Sequence, residues 1–600
     1  VGATRIATAI AVAVGAALTL SACVPQQSVT IDGSELTVAV SQPYTSGNPA
    51  TAYGSSETNS SVAYATHTGF TYFNDKSELV RDESFGRFEK VSDDPLAVTY
   101  TVADGVRWSD GTAVDAVDLL LEWAAVSGAL NTPDADAAST VDPDTGAPLD
   151  RSDSRILFDS SGLDDAGLSL VTELPQMSND RMSLTLVFDE PIVSWETAFF
   201  SANSFAKPAH VVGEMAFAND DALTAKERIF TAIMEGNDKD LAAIARTWNT
   251  VFNFQGMPAN EILVVSNGPY VISEFVANQY VTLRANPEYA GSRQPTVQEI
   301  TVRFMGDPLA QAQALLVGSV QIAKPTMNTD VRDALEIMDV TILEGTTDSF
   351  EHLDLQFAQS QSGAFDDALV RQAFLKTIPR AEIAAAALAE VQPRATVRDS
   401  FLFAPNSPGY SEARAKNGSD AYGEVDIEGA KQLLADAGVS KPAVCVLFDA
   451  EDEKRRTEFE VISASAATAG FAVKDCSSED WQAVLGSEGA YDAALFSWQE
   501  ARPGIGLAAE VFGSEGYANL NYFADSAVDA LLADAQSVEI DSDARIDLLI
   551  DADSALWEAA YGMPLFQHPV TVAIDQNRVS NVSISSLSPG VWWNVWEWKP

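Results

Sequence analysis

The stretch Val98–Gly128, VTYTVADGVRWSDGTAVDAVDLLLEWAAVSG, decides how the chain is read. Val98, Tyr100 and Val102 alternate with polar residues, the period of a half-buried strand. Asp104-Gly105 turns the chain, and Val106 and Trp108 resume the alternation, so the segment predicts a hairpin. A second tight turn, Ser109-Asp110-Gly111, leads into a helix whose expected N-cap is Asp115, because its carboxylate can accept the orphan N–H groups of the first turn. Asp118 adds negative charge where the helix dipole favours it. Val117, Leu120, Leu121 and Ala124 recur at helical spacing on one face, and Gly128 is placed to end the helix. Elementary chemistry thus gives a hairpin packed on an amphipathic helix.

Working outward, the 600 residues amount to about four domain lengths, so core size is no constraint. Lys and Arg number 36 against 86 Asp and Glu, a net charge of −50. That balance argues against nucleic acid and against electrostatic attachment to an anionic membrane, and reads as a solubilising surface. At the N-terminus, Arg5 precedes an uncharged run from Ile6 to Leu20 and then Leu20-Ser21-Ala22-Cys23. This is the pattern of a secretory signal over residues 1–22 that ends in a bacterial lipobox, with Cys23 as the lipidated residue. No second long apolar run follows, so the lipid is the expected anchor. Export also makes a disulfide between Cys445 and Cys476 an open question. An oxidising compartment favours the bond, whereas simple register puts Cys445 early in one strand and Cys476 at the end of its neighbour, and Cα atoms beyond about 7 Å cannot be bridged.

The motifs of catalysis are missing from the sequence. His67, His210, His352 and His568 are its histidines, with no His-Glu-x-x-His, no Gly-x-Ser-x-Gly and no P-loop. Ala129 to Gly167 is dense in Asp, Ser, Pro and Gly; it lacks the full Asp-x-Asp-x-Asp-Gly calcium loop and reads as a solvated insertion. No enzyme, cofactor or metal is expected. Between Asp426 and Asp475 the pattern runs helix, strand, helix, strand, which implies a parallel sheet with helices on its faces.

The opening segment, a strand followed by DGVRWSDGTAVDAVD and a helix, is similar to the signature of the family 5 solute-binding proteins. These are extracytoplasmic receptors of ABC importers for oligopeptides, dipeptides, nickel chelates and related solutes. Asn267-Gly268-Pro269-Tyr270, Asn286-Pro287-Glu288-Tyr289, Asp367 to Ala373, Tyr491 to Trp498 and Met563-Pro564-Leu565-Phe566 resemble further family landmarks in the family's order. The resemblance implies an α/β, two-lobed periplasmic-binding-protein-like fold of type II, in the large cluster with an extra subdomain. The implied organisation is a signal (1–22), a tether (23–34) and a first part of lobe I (35–59). An extra subdomain with the acidic insertion (60–175), a second part of lobe I (176–295), lobe II (296–560) and a C-terminal return to lobe I (561–600) follow.

The resemblance also nominates residues. The loop after the first strand approaches the ligand in this family, which makes Gln42 and Tyr44 candidates. Peptide-binding members use the tryptophan matched by Trp498 as a cleft wall and an aspartate three residues later for the peptide's α-ammonium. Here that position is Ala501, with Glu500 before it and Arg502 after it. Burying an ammonium without a counter-charge costs several kcal/mol. Either Glu500 takes the role, or the ligand is not a zwitterionic peptide held in that way. In its motif Arg371 is expected to form a structural salt bridge. Trp592, Trp593, Trp596 and Trp598 are expected to pack as a C-terminal strand on the main lobe, or else to wall a site for sugars or flat rings. The implied function is capture of short peptides by a lipid-anchored monomer that delivers them to membrane permease subunits. A non-peptide solute such as an oligosaccharide or metal chelate, and a surface sensor of the same fold, are the alternatives.

Overall fold

The opening segment folds around its own turns. The structure, a computed structural model, describes residues 30–133, 141–142, 146–147, 155–163, 167–199, 207–218, 220–389, 391–392, 397–499, 507–540 and 542–600. Asp115 caps the helix Ala116–Val126, accepting from Val117 N at 2.8 Å, while the Asp118 carboxylate accepts from Asp115 N at 3.0 Å. Gly128, at φ 72°, follows the helix in the left-handed region. The hairpin expected across Asp104-Gly105 is not formed. Trp108 N donates to Thr112 O at 2.8 Å and Val114 N to Val106 O at 3.0 Å, so Val106 to Trp108 close on the next turn. Gly111, at φ 88°, lets the chain double back at once, and the alternation buries Trp108 inside a loop.

In chain order the strands are β1 (Ile31–Val40), β2 (Thr71–Phe73), β3 (Leu79–Arg81), β4 (Gly86–Asp93), β5 (Leu96–Val102), β6 (Gln176–Met177), β7 (Ser183–Val187), β8 (Tyr270–Val276), β9 (Tyr280–Ala285), β10 (Val297–Phe304), β11 (Ile322–Ala323), β12 (Thr341–Leu355), β13 (Ala443–Leu447), β14 (Ala472–Asp475), β15 (Ala493–Gln499) and β16 (Gly562–Ile574). The strand of the Val98–Gly128 stretch, β5, pairs with β4 and β7 in a four-stranded sheet ordered β4-β5-β7-β6, which draws on residues from both sides of position 175. The main sheet has ten strands, ordered β14-β13-β15-β12-β16-β11-β1-β10-β9-β8. Its β13 runs parallel to both β14 and β15, as the alternation of helix and strand predicts.

Two strands hold the molecule's two halves together. β12 and β16 pair antiparallel, Thr341 to Thr346 opposite Ile574 to Pro569 and Phe350 to Asp354 opposite Gln567 to Gly562, with the register broken between Thr346 and Phe350 and shifted again between Glu351 and His352. Before the break Leu343, Val572 and Ile574 join a core with Leu36, Val38 and Trp596; beyond it Leu353, Leu355, Met563 and Leu565 join another with Phe374, Ile462 and Trp557. The chain is therefore two-lobed, with the register break at the crossing.

Lobe I is pinned by Arg293, only 2% exposed, whose guanidinium lies 5.8, 5.3 and 5.1 Å from the ring centres of Tyr64, Tyr72 and Trp596 and whose Nε is 3.3 Å from Asp82. The terminal tryptophans pack on this lobe, though not as a strand. Trp592 and Trp596 belong to the 3-10 segment Gly590–Glu597, which kinks at Asn594 between them, and both are buried in the core of lobe I. Arg371 likewise departs from expectation. It donates to the carbonyls of Phe365 at 2.6 Å and Ala559 at 3.2 Å and lies 4.3 Å from the Phe357 ring centre, because its buried head meets a helix end rather than a carboxylate.

In lobe II Cys445 is bonded to Cys476, with Cα atoms 5.6 Å apart. Cys445 opposes Lys474 in the parallel ladder, and Cys476 N, one residue past β14, donates to Val446 O at 3.0 Å, which brings the two thiols alongside. The bond closes a sequence separation of 31 residues, which corresponds to about 3–4 kcal/mol of stabilisation through the unfolded state. The double variant Cys445→Ala/Cys476→Ala is expected to lose that amount in guanidinium unfolding, and reduction of the wild type is expected to lose the same. Equal midpoints for oxidised and reduced protein would exclude the stabilising role.

Candidate functional site

The site follows from where strands stop. β1 ends at Val40, where Ser41-Gln42-Pro43 leads away, and β11 ends at Ala323, before Lys324-Pro325. β16, which pairs with β11, and its own partner β12 continue into lobe II, so the sheet has a notch at the lobe boundary. A cavity of about 400 Å³ fills it. Its walls are the ends of β1 and β11, the first turn of the helix Glu57–Thr66, Thr347, Pro569 to Thr571, Met327 and Trp592. The charged groups among the described lining residues, Glu57 and Lys324, are paired with each other. Hydroxyls of Ser41, Thr58, Ser61, Thr347 and Thr571 and the Gln42 amide share the rest of the lining with Val38, Val40, Val570 and Val591. Such a wall offers hydrogen bonds and apolar contact to an uncharged polar ligand. Among the described residues no cluster of three or more His, Cys, Asp or Glu side chains is placed to hold a metal ion.

The nominated residues separate. Gln42 is exposed and lines the cavity, while its carbonyl accepts from Thr58 Oγ1 at 3.0 Å. Tyr44 lies in the core of lobe I: it is 3% exposed, with ring centres 6.2 Å from Phe254 and 5.3 Å from Phe275, and burial holds its phenol above its ordinary pKa. Two residues beyond the cavity rim, the loop has already turned inward. Trp498 sits half-buried near the end of β15, opposite Phe350, and stacks on His352 at 6.0 Å with the rings 3° from parallel. It is on the lobe II strand next to the hinge and is not among the residues lining the cavity. Glu500, Arg502 and Cys23 lie outside the described residues. Sequence reasoning missed Lys324, Thr347 and Thr571. Lys324 and Glu57 are 267 residues apart and meet because β1 and β11 are adjacent parallel strands; no local pattern signals that.

Beside the notch, the neighbour of Trp498 points into a buried ionic cluster. Glu351 of β12, fully buried, accepts from Arg455 Nε at 2.8 Å, Lys454 Nζ at 3.0 Å and Ser497 Oγ at 2.8 Å, with His568 Nε2 at 3.2 Å. Lys454 and Arg455 occupy the first turn of the helix Glu453–Ala469, which Asp452 caps. Burial alone opposes ionisation of Glu351, but the His568 hydrogen bond and the Lys454 and Arg455 charges hold its carboxyl well below the usual range. Glu458, one turn on from Arg455, has neither carboxyl oxygen hydrogen-bonded among the described residues; burial and then the Glu351 charge push its pKa well above the ordinary value. The cluster ties β12, β15 and β16 to one helix immediately beyond the register break.

Removing one partner of a buried ion pair typically costs 3–5 kcal/mol, so Glu351→Gln is expected to lose about that much in urea unfolding at neutral pH. The sign with pH follows from the depressed pKa. The Glu351 contribution is complete above the ordinary carboxylate value of 4.5 and is lost as pH falls towards the folded value. The gap between wild type and Glu351→Gln should therefore narrow on acidification; a constant or widening gap contradicts the assignment.

Residues 83–505 match the family described as bacterial extracellular solute-binding proteins, family 5 Middle. An uncharacterized lipoprotein of Mycobacterium tuberculosis is 24% identical over 603 residues, spanning 97% of this chain and 95% of its own. The oligopeptide-binding protein OppA of Mycobacterium bovis is 22% identical over 522 residues, spanning 86% of this chain and 76% of its own. Among solved structures, the periplasmic EDTA-binding protein EppA shares the fold with a TM-score of 0.67 at 20% identity, over 94% of this chain and 96% of that one.

Proposed function

The chain belongs to the bacterial extracellular solute-binding proteins of family 5, the solute receptors of ABC importers, and from that membership we propose that its ligands are short peptides. The observation that carries the reading is the cavity at the notch, where the two charged groups of the described lining neutralise each other and hydroxyl and amide groups alternate with apolar side chains. A peptide backbone is uncharged and rich in donors and acceptors, so such walls hold it while bridging waters tolerate varied side chains. The name of the mycobacterial OppA relative supports the same ligand class.

The mechanism is two-state closure. A ligand that touches both lobes binds the closed form better than the open one and shifts the population by that difference in affinity. The β12 and β16 crossing is the hinge, and the closed form is what membrane permease subunits recognise. The family and fold are those of binding proteins that carry out no chemistry on their ligand. No helix among the described residues is long and apolar enough to cross a membrane. The lipobox and the lipoprotein name of the M. tuberculosis relative support attachment through Cys23 on the extracytoplasmic face.

Denaturing the purified protein and identifying the released small molecules by mass spectrometry tests the ligand class. A ladder of short peptides is expected; one discrete sugar, chelate or other non-peptide would overturn the peptide reading. Separately, Cys23→Ser is expected to move the protein from the membrane fraction to the soluble one. Unchanged membrane retention of that variant would rule out the lipid anchor.

A further inference from the structure

A second cavity, of about 270 Å³, adjoins the first across the hinge strands. Both lobes contribute to it: Leu343 to Thr346 of β12, Asp75 and Ser77 from the turn between β2 and β3, Val582 to Ser586 of the C-terminal segment, and Pro405-Asn406 from beside the lobe II core. The two cavities are neighbours on one ladder. Gly345 and Thr346 border the second cavity, and their Cα partners on β16, Val570 and Pro569, border the first. One strand spacing, about 5 Å, separates those walls. A ligand lying across the notch thus has room on both sides of the β12–β16 ladder.

The charges of the two cavities differ. In the first, Glu57 is paired with Lys324. In the second, Glu344 is paired with Arg332 at 3.3 Å, whereas Asp75 is exposed and has no hydrogen-bond or ion-pair partner among the described residues. Asp75 is thus the single charge left uncompensated in the described lining of the two cavities. We propose that the ligand groove continues over β12 into the second cavity, where Asp75 receives a cationic group at one end of an elongated ligand. The assignment rests on the peptide reading above, and the cationic group is an α-ammonium or a lysine or arginine side chain. It supplies a counter-charge that the sequence does not place at Ala501.

The test uses the full chain and an equimolar synthetic library of peptides two to nine residues long, each with a free and an acetylated N-terminus, with and without lysine and arginine. Retention is read by native mass spectrometry. Thr346→Trp, which fills the second cavity, is expected to reduce retention of the longer peptides about tenfold while sparing the shortest, a change equivalent to about 1.4 kcal/mol. Asp75→Asn, at an exposed position, is expected to abolish a preference for cationic peptides. Loss of the free-over-acetylated preference assigns the α-ammonium, and loss of the lysine and arginine preference assigns the side chain. Should Thr346→Trp fail to fold, the Asp75→Asn comparison decides alone. Wild-type retention with unchanged length and charge preferences in the variants overturns this assignment and leaves the peptide reading standing. A wild type that retains no peptide overturns both.

Discussion

The antiparallel pairing of β12 with β16 is the constraint from which the rest of the architecture follows. Each strand is long enough to serve two cores, and the ladder between them shifts register twice around the crossing, between Thr346 and Phe350 and between Glu351 and His352. Backbone hydrogen bonds resist extension along a strand but leave an interrupted ladder free to flex at its break. Because β1 and β11 stop where β12 and β16 go on, the crossing also creates the empty volume beside it. Hinge and cavity are one feature seen from two sides.

The buried cluster around Glu351 complements this arrangement. A ladder that flexes everywhere would not transmit ligand contact into a defined rotation of one lobe. Immediately past the break, three strands are locked to the helix Glu453–Ala469 through one carboxylate that accepts from Arg455, Lys454 and Ser497. The desolvation of these charges is offset only because every Glu351 contact is short and satisfied. These contacts brace lobe II on its side of the crossing, where the β12–β16 ladder is irregular between Thr346 and His352.

Local chemistry was legible in the sequence, and distant pairing was not. Asp115 with Asp118, and Asp367, announced their helix starts because a cap depends on residues within one turn. The same short range misled at Val106 and Trp108, where alternation signalled a strand but a glycine turn folded the residues onto their own loop. Family likeness gave the two lobes. It nominated Gln42, which lies at the cavity, and Tyr44, which lies in the core, because a loop's approach to a cleft does not specify which of its side chains points outward. Lys324 and Thr571 carried no signal at all, since their sharing one cavity with Glu57 and Gln42 depends on strand order in the sheet.

That strand order also imposes a schedule on folding. β1 lies inside the main sheet between β10 and β11, and its hydrogen bonds reach partners more than 250 residues later, as when Ile31 N donates to Thr296 O. The Tyr64 hydroxyl donates to the carbonyl of Trp593, 529 residues away, and the Arg293 cage includes Trp596. A chain delivered N-terminus first thus emerges with its earliest strand unable to pair and its earliest core open until the last tryptophans arrive. Such long-range closure is slow, and it leaves apolar surface of the early segments open until the C-terminal residues join them.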